Sequence, residues 1–144
     1  MKSFQFSLEK VLEYRRDIEE EWEIRLGQVN GEYNRILMDI EGIDRNARQA
    51  LEGCSHALGQ DAHSWGMYRL RLESQKSQLQ HALAAKEEER TRIRKKFLEV
   101  SRDRKVISRL KEKKMAEYKK YLMKEEIKRL DDISAAKAAG EAEL

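Results

Sequence analysis

Apolar residues recur in steps of three and four along almost the whole chain, and that spacing is interrupted only once. The first series runs Leu8, Val11, Ile18, Trp22, Leu26, Val29, Tyr33, Ile36, Ile40, Ile43, Ala47, Ala50 and Cys54. The second runs Trp65, Tyr68, Leu72, Leu79, Leu83, Arg90, Ile93, Phe97, Val100, Arg104, Ile107 and Leu110. It continues into KEKKMAEYKKYLMKEEIKRLDDI with Met115, Tyr118, Leu122, Ile127, Leu130 and Ile133. A stripe of this period occupies one face of an α-helix, and sustained over many turns it forms a coiled-coil seam. The consecutive four-residue steps at Ile18, Trp22 and Leu26 read as a stutter that relaxes the supercoil locally.

The interruption is GQDAHSWG, where Gly59 supplies a helix stop, Asp61 turn chemistry and Ser64 an N-cap. A short connection between two long amphipathic helices makes an antiparallel hairpin. The expected fold is therefore all-α: two long helices forming an antiparallel coiled-coil hairpin, a single unit with the second helix overhanging the first. The spacing places helix one at about 5–57, the turn at about 58–64, helix two at about 65–135 and a flexible tail at 136–144. With the turn centred near Asp61, facing residues have numbers totalling about 122 or 123. That register sets Ile43 beside Leu79, Ile40 beside Leu83, Val29 beside Ile93 and Leu26 beside Phe97. Leu8 then falls opposite about residue 115, so the stripe from Tyr118 onward has no partner within the chain. Helical to about Ala135, it projects about 25 Å at ~1.5 Å per residue. An apolar stripe left uncovered on a charged helix is an interaction surface.

Composition agrees with long helices and argues against a globule. Proline is absent, charged residues make up 40% and aromatic residues 7%, too little apolar bulk for a large core. The start, MKSFQFSLEK, has no signal-peptide apolar run, and no stretch approaches the ~18 apolar residues that span a bilayer, so a cytoplasmic protein is expected. A single cysteine, Cys54, permits no internal disulfide. Charge is segregated: from Arg90 to Leu130 there are 17 Lys/Arg against 6 Asp/Glu, and up to Gly53 there are 8 against 12. The basic half opens an alternative function, a coiled-coil scaffold or nucleic-acid binder. Its charges, however, interleave with glutamates at helix-pair spacing, as on a solvated coiled-coil face. Direct nucleic-acid binding is therefore not expected, and any membrane association is expected only through partners.

No catalytic machinery is visible. No glycine precedes a lysine, so there is no phosphate-binding loop, and GxSxG, HExxH and paired CxxC motifs are missing. Cys54, His56, Asp61 and His63 cluster near the turn, but their spacing fits no zinc motif and a polar hairpin tip accounts for them. The expectation is a non-enzymatic protein with no catalytic residue, cofactor or metal.

Three segments in order carry a family resemblance. FQFSLEKVLEYRRDIEEEWE resembles the opening of the FliJ family of flagellar type III export proteins, an aromatic pair before L-x-x-V-L and then R-x-x-E-E-E. SWGMYRLRLESQKSQL resembles the family's W-x-x-Y-x-x-x-L segment. SRDRKVISRLKEKKMAEYKKYLMKEEIKRLDDISA is similar to its closing signature, L-K-x-K, a tyrosine and a final L-D-[DE]-hydrophobic-[AS]. Residues 43–51 depart from the aromatic-rich pattern of some members. The resemblance implies a stalk at the inner-membrane base of the flagellum that inserts into the pore of the hexameric export ATPase, promotes its assembly and couples it to the export gate membrane protein, with export chaperones as further partners. It carries ATPase contact onto Phe4, Phe6, Leu8, Leu12, Arg15, Lys105, Leu110, Tyr118, Leu122, Leu130 and Asp131, and gate contact onto Ile40, Ile43, Tyr68, Leu72 and Leu79. The stalk of a virulence injectisome is the nearest alternative.

Overall fold

The computed structural model describes residues 3–142 and holds two helices, α1 (Glu9–His56, 48 residues) and α2 (Gln60–Ala142, 83 residues). The fold is the all-α hairpin expected. The aromatic segment 3–6 is not helical, and α1 starts at Glu9, whose amide donates to the Phe6 carbonyl at 3.1 Å. A carboxylate in this first turn suits the helix dipole.

The turn is shorter than expected. Residues 57–59 make it, with Gly59 at φ +65°, a left-handed conformation that glycine adopts without a Cβ penalty. One such residue ends α1, and α2 begins at Gln60, five residues before the expected 65. Asp61 falls in its first turn and the His63 amide donates to the Gly59 carbonyl at 3.3 Å, so Ser64 lies inside the helix and is not its cap. At the far end α2 runs through the expected tail to Ala142, because 135–142 is mostly alanine, the best helix former, and Gly140 costs only ~1 kcal/mol. Glu143 and Leu144 lie outside the described residues.

The chain groups into two compact units, Glu19–Glu99 and Met1–Ile18 with Val100–Leu144. In the first, Val29 (4% exposed), Ala50 (0%) and Leu72 (4%) form the core of the seam. The expected α2 series jumps from Leu72 to Leu79 and from Leu83 to Arg90; Lys76 and Lys86 fill both gaps, each partly buried. Lys76 Nζ lies 2.7 Å from Asp44 Oδ1, Lys86 pairs with Glu32 and with Glu89 at 3.1 Å, and the Arg90 guanidinium sits 4.1 Å from the Tyr33 ring centroid. Charged side chains at seam positions bury their stems and keep their heads paired at the rim.

Hydrogen bonds to the Glu32 and then the Glu89 carboxylate hold Lys86 above the ordinary lysine range, against a smaller opposing effect of burial. A raised lysine pKa stabilises the fold at neutral pH and loses that contribution as pH climbs through the folded value. The difference in melting temperature between the wild-type chain and Lys86→Met is therefore expected to shrink across the alkaline range above about pH 10, read by circular dichroism melts at stepped pH.

In the second unit Leu12 is fully buried, while Val11, the residue the spacing favours, is 38% exposed. Leu8, Leu12 and Arg15 continue through the partly buried Glu19 to Trp22 in steps of four and three. Ile18 and Glu19 are both partly buried, so a glutamate shares the seam with the isoleucine that the apolar spacing picks out. Val100 (7%) and Ser101 (8%) complete this core.

Across the helices Phe4 meets Tyr118, as the expected register has it, but Glu9 pairs with Lys111 at 2.8 Å and Arg15 with Asp103 at 3.0 Å. Those partners, like Lys76 for Asp44, lie up to four residues nearer the turn than expected. The turn, at 57–59, also comes earlier in the chain than expected.

Candidate docking surfaces

The residues assigned to ATPase contact all fall in the unit that contains both ends, and those assigned to gate contact all fall in the unit that contains the turn. Their exposure separates them further. Phe4, Phe6, Leu8, Arg15, Leu110, Tyr118 and Leu122 are partly buried, Lys105, Leu130 and Asp131 are exposed, and Leu12 has no exposed surface. Leu12 therefore packs the seam and offers nothing to a partner. Arg15 is engaged by Asp103, which leaves its outer edge free for contact.

Tyr118 is not the first residue of the overhang. Its ring lies 5.6 Å from the Phe4 ring at 40°, a tilted aromatic pair closing the open end. The non-helical 3–6 segment carries Phe4 to this contact. The overhang begins after Leu122. Every residue from Met123 to Ala142 is exposed, including Met123 (63%), Ile127 (55%), Leu130 (57%) and Ile133 (57%).

The stripe quoted from sequence also divides into two faces. Ile107, Lys111, Tyr118 and Leu122 lie on the side that meets the first 18 residues. At 3.6 residues per turn, Met123, Ile127 and Leu130 are rotated from that side by roughly a third of the circumference. The change of face occurs where intramolecular cover ends, so the outer stripe is not a frayed continuation of the seam. Met123 was missed because it breaks the seam's phase; that phase change was the available signal.

In the turn unit, Leu72 is buried and Ile40, Ile43, Tyr68 and Leu79 are partly buried. Ile43 and Leu79 line a shallow groove with Met38, which is 68% exposed, and with Gly42, Asn46 and Gln75. Nearer the turn, Leu51 (54%), Leu58 (88%), Met67 (54%) and Leu70 (60%) are exposed. Spacing could not single these out, because they lie off the seam. Trp65 packs on Tyr68 edge to face at 6.1 Å and on the backbone of Gly53.

Neither unit contains a recognisable reaction centre. Among the described residues no three His, Cys, Asp or Glu side chains are placed to hold a metal ion, and the Cys54 thiol lies 3.9 Å from the Ala62 carbonyl. Among them, too, no helix is long and apolar enough to cross a membrane. The family model for the flagellar FliJ protein matches residues 4–143. The chain belongs to the FliJ family. No curated protein and no solved structure matches it. Membership makes this FliJ-family protein a component of flagellar type III export. The three segments that carried the resemblance occupy the residues leading into α1 with its first turns, the first turns of α2, and α2 from Ser101 to Ala135, part seam and part exposed.

Proposed function

We propose that this FliJ-family protein docks through its open end into the ring of the flagellar export ATPase, acts there as a stalk that promotes ring assembly and activity, and reaches the export gate through the turn unit. The observation that carries the reading is the exposed stripe Met123, Ile127, Leu130 and Ile133, on a stretch of α2 that no other described residue covers. A helix stripe of this kind is the docking element of helix-in-groove recognition, with anchors at steps of three and four. The Phe4–Tyr118 pair holds the root of that helix, so the stripe is presented from a fixed base. In this reading hydrolysis belongs to the partner.

The test is the ATP hydrolysis rate of the cognate ATPase with and without the full chain, beside Ile127→Asp/Leu130→Asp. The wild-type chain is expected to raise the rate and the double variant to lose most of the increase. A charge at either position costs burial without a partner, while both are exposed in the free chain, so the hairpin is unaffected. Equal stimulation by the two chains would remove the stripe from the docking surface.

Phe4→Ala offers a milder check. Losing the ring contact is expected to weaken Tyr118 ordering and to lower the affinity for the ATPase several-fold, on the scale of ~1 kcal/mol for an aromatic pair. An unchanged affinity by titration would confine Phe4 to a bystander role.

A further inference from the structure

The uncovered stripe of α2 continues a heptad of its own: Lys120, Met123, Ile127, Leu130 and Ser134 follow steps of three and four. Lys124 and Asp131 flank it on one side, seven residues apart, and Lys119 and Glu126 on the other. We propose that this face binds a second copy of the chain, in antiparallel orientation. Charge decides both occupant and orientation. Two copies in parallel would oppose Lys119 to Lys124 and Glu126 to Asp131, because in that orientation flanking residues five apart meet across the seam. Both contacts are between like charges.

Antiparallel copies bring the same flank together, so Lys124 faces Asp131 of the second copy and the reciprocal contact repeats it. In that alignment Ile127 packs against Leu130 of the second copy, twice by symmetry, and Met123 packs against Ser134. Sliding the copies by one heptad toward the turn would oppose Lys124 to itself and Glu126 to itself, so the alignment is unique. The wider pattern agrees. From 118 to 130 the helix carries Lys119, Lys120, Lys124, Lys128 and Arg129 against Glu125 and Glu126, and from 131 to 142 it carries Asp131, Asp132 and Glu141 against Lys137. An antiparallel mate lays the basic stretch on the acidic one.

Three large apolar residues per copy make a small core, and at each edge of it Lys120 faces Lys137 of the second copy, a like-charge contact that the two ammoniums weaken by reaching outward to solvent. Pairing is therefore weak and depends on concentration, with dissociation on the order of 100 µM. The same stripe serves the docking proposed above, so pairing and docking exclude one another; this consequence alone rests on that reading.

Sedimentation equilibrium on the full 17.0 kDa chain tests the pairing without the ATPase. The average mass is expected to rise toward twice the monomer between about 10 µM and about 1 mM. Lys124→Asp and Asp131→Lys are each expected to weaken association about tenfold, since each turns two attractive contacts repulsive, and the combined swap to restore it. A chain monomeric throughout that range would overturn the proposal. So would association that Ile127→Asp leaves unchanged, or single swaps without effect.

Discussion

Ending the chain after Leu122 is expected to abolish stimulation of the export ATPase and to leave the hairpin melting within about 2 °C of the full chain. The removed residues, Met123 to Leu144, are exposed over the described part, so they contribute no core packing whose loss could lower the melting temperature. They do contribute helix, so the far-UV signal at low temperature falls while the transition stays in place. An isolated single-stranded helix of this length is marginal in water, and part of that signal is expected to melt early and without cooperativity in the full chain. Two measurements on one truncated protein thus separate docking from folding. If the main transition drops by 10 °C or more, the overhang supports the hairpin and the boundary at Leu122 is wrong. If stimulation survives, docking lies elsewhere on the open end, with Phe6, Leu8 and Lys105 the next residues to vary.

Gly53→Leu is expected to destabilise the turn unit by about 3 kcal/mol, the upper range for forcing bulk into a packed seam. A Cβ on Gly53 would lie 2.6 Å from Cε2 and 2.7 Å from Cζ2 of the Trp65 indole, distances that van der Waals contact does not allow. The indole would have to leave the seam. Gly53→Ala carries the same Cβ and is expected to cost about 1–2 kcal/mol after the ~1 kcal/mol gain in helix propensity. A double-mutant cycle isolates the cause: in a Trp65→Ala background the Gly53→Ala change should stabilise the chain, because the obstructing ring is gone and the propensity gain remains. Trp65 fluorescence reads the displacement directly, with a red shift expected in Gly53→Ala as the ring moves toward water. A cycle with no coupling would show that the indole has room to move aside.

Much of this architecture was legible before the structure. The three-and-four spacing, the lack of proline and the one Gly-containing break specify two helices and a hairpin, since no other arrangement buries two such stripes with so little apolar bulk. Most expected seam positions, from Trp22 to Cys54 and from Trp65 to Ile107, are partly or wholly buried. The errors share a physical origin. Val11 and Leu12 are neighbours on a helix, and which of them faces inward depends on Arg15 and Glu19, polar residues that a search for apolar beats passes over. Lys76 and Lys86 were missed in the same way. A long side chain can place its methylenes in a seam and its ammonium at the rim beside Asp44 or Glu32, and hydropathy does not record that.

By itself, then, the sequence determined the element type, their number and the family, because periodicity and motif spacing are carried by the residues themselves. Only the tertiary structure decided the register, the burial of Leu12, the pairing of Phe4 with Tyr118 and hence the point at which the overhang begins. Each of these depends on how far one helix has advanced against the other. At the open end that advance brings Phe4 to Tyr118 through the non-helical segment 3–6, whose path residue spacing does not record.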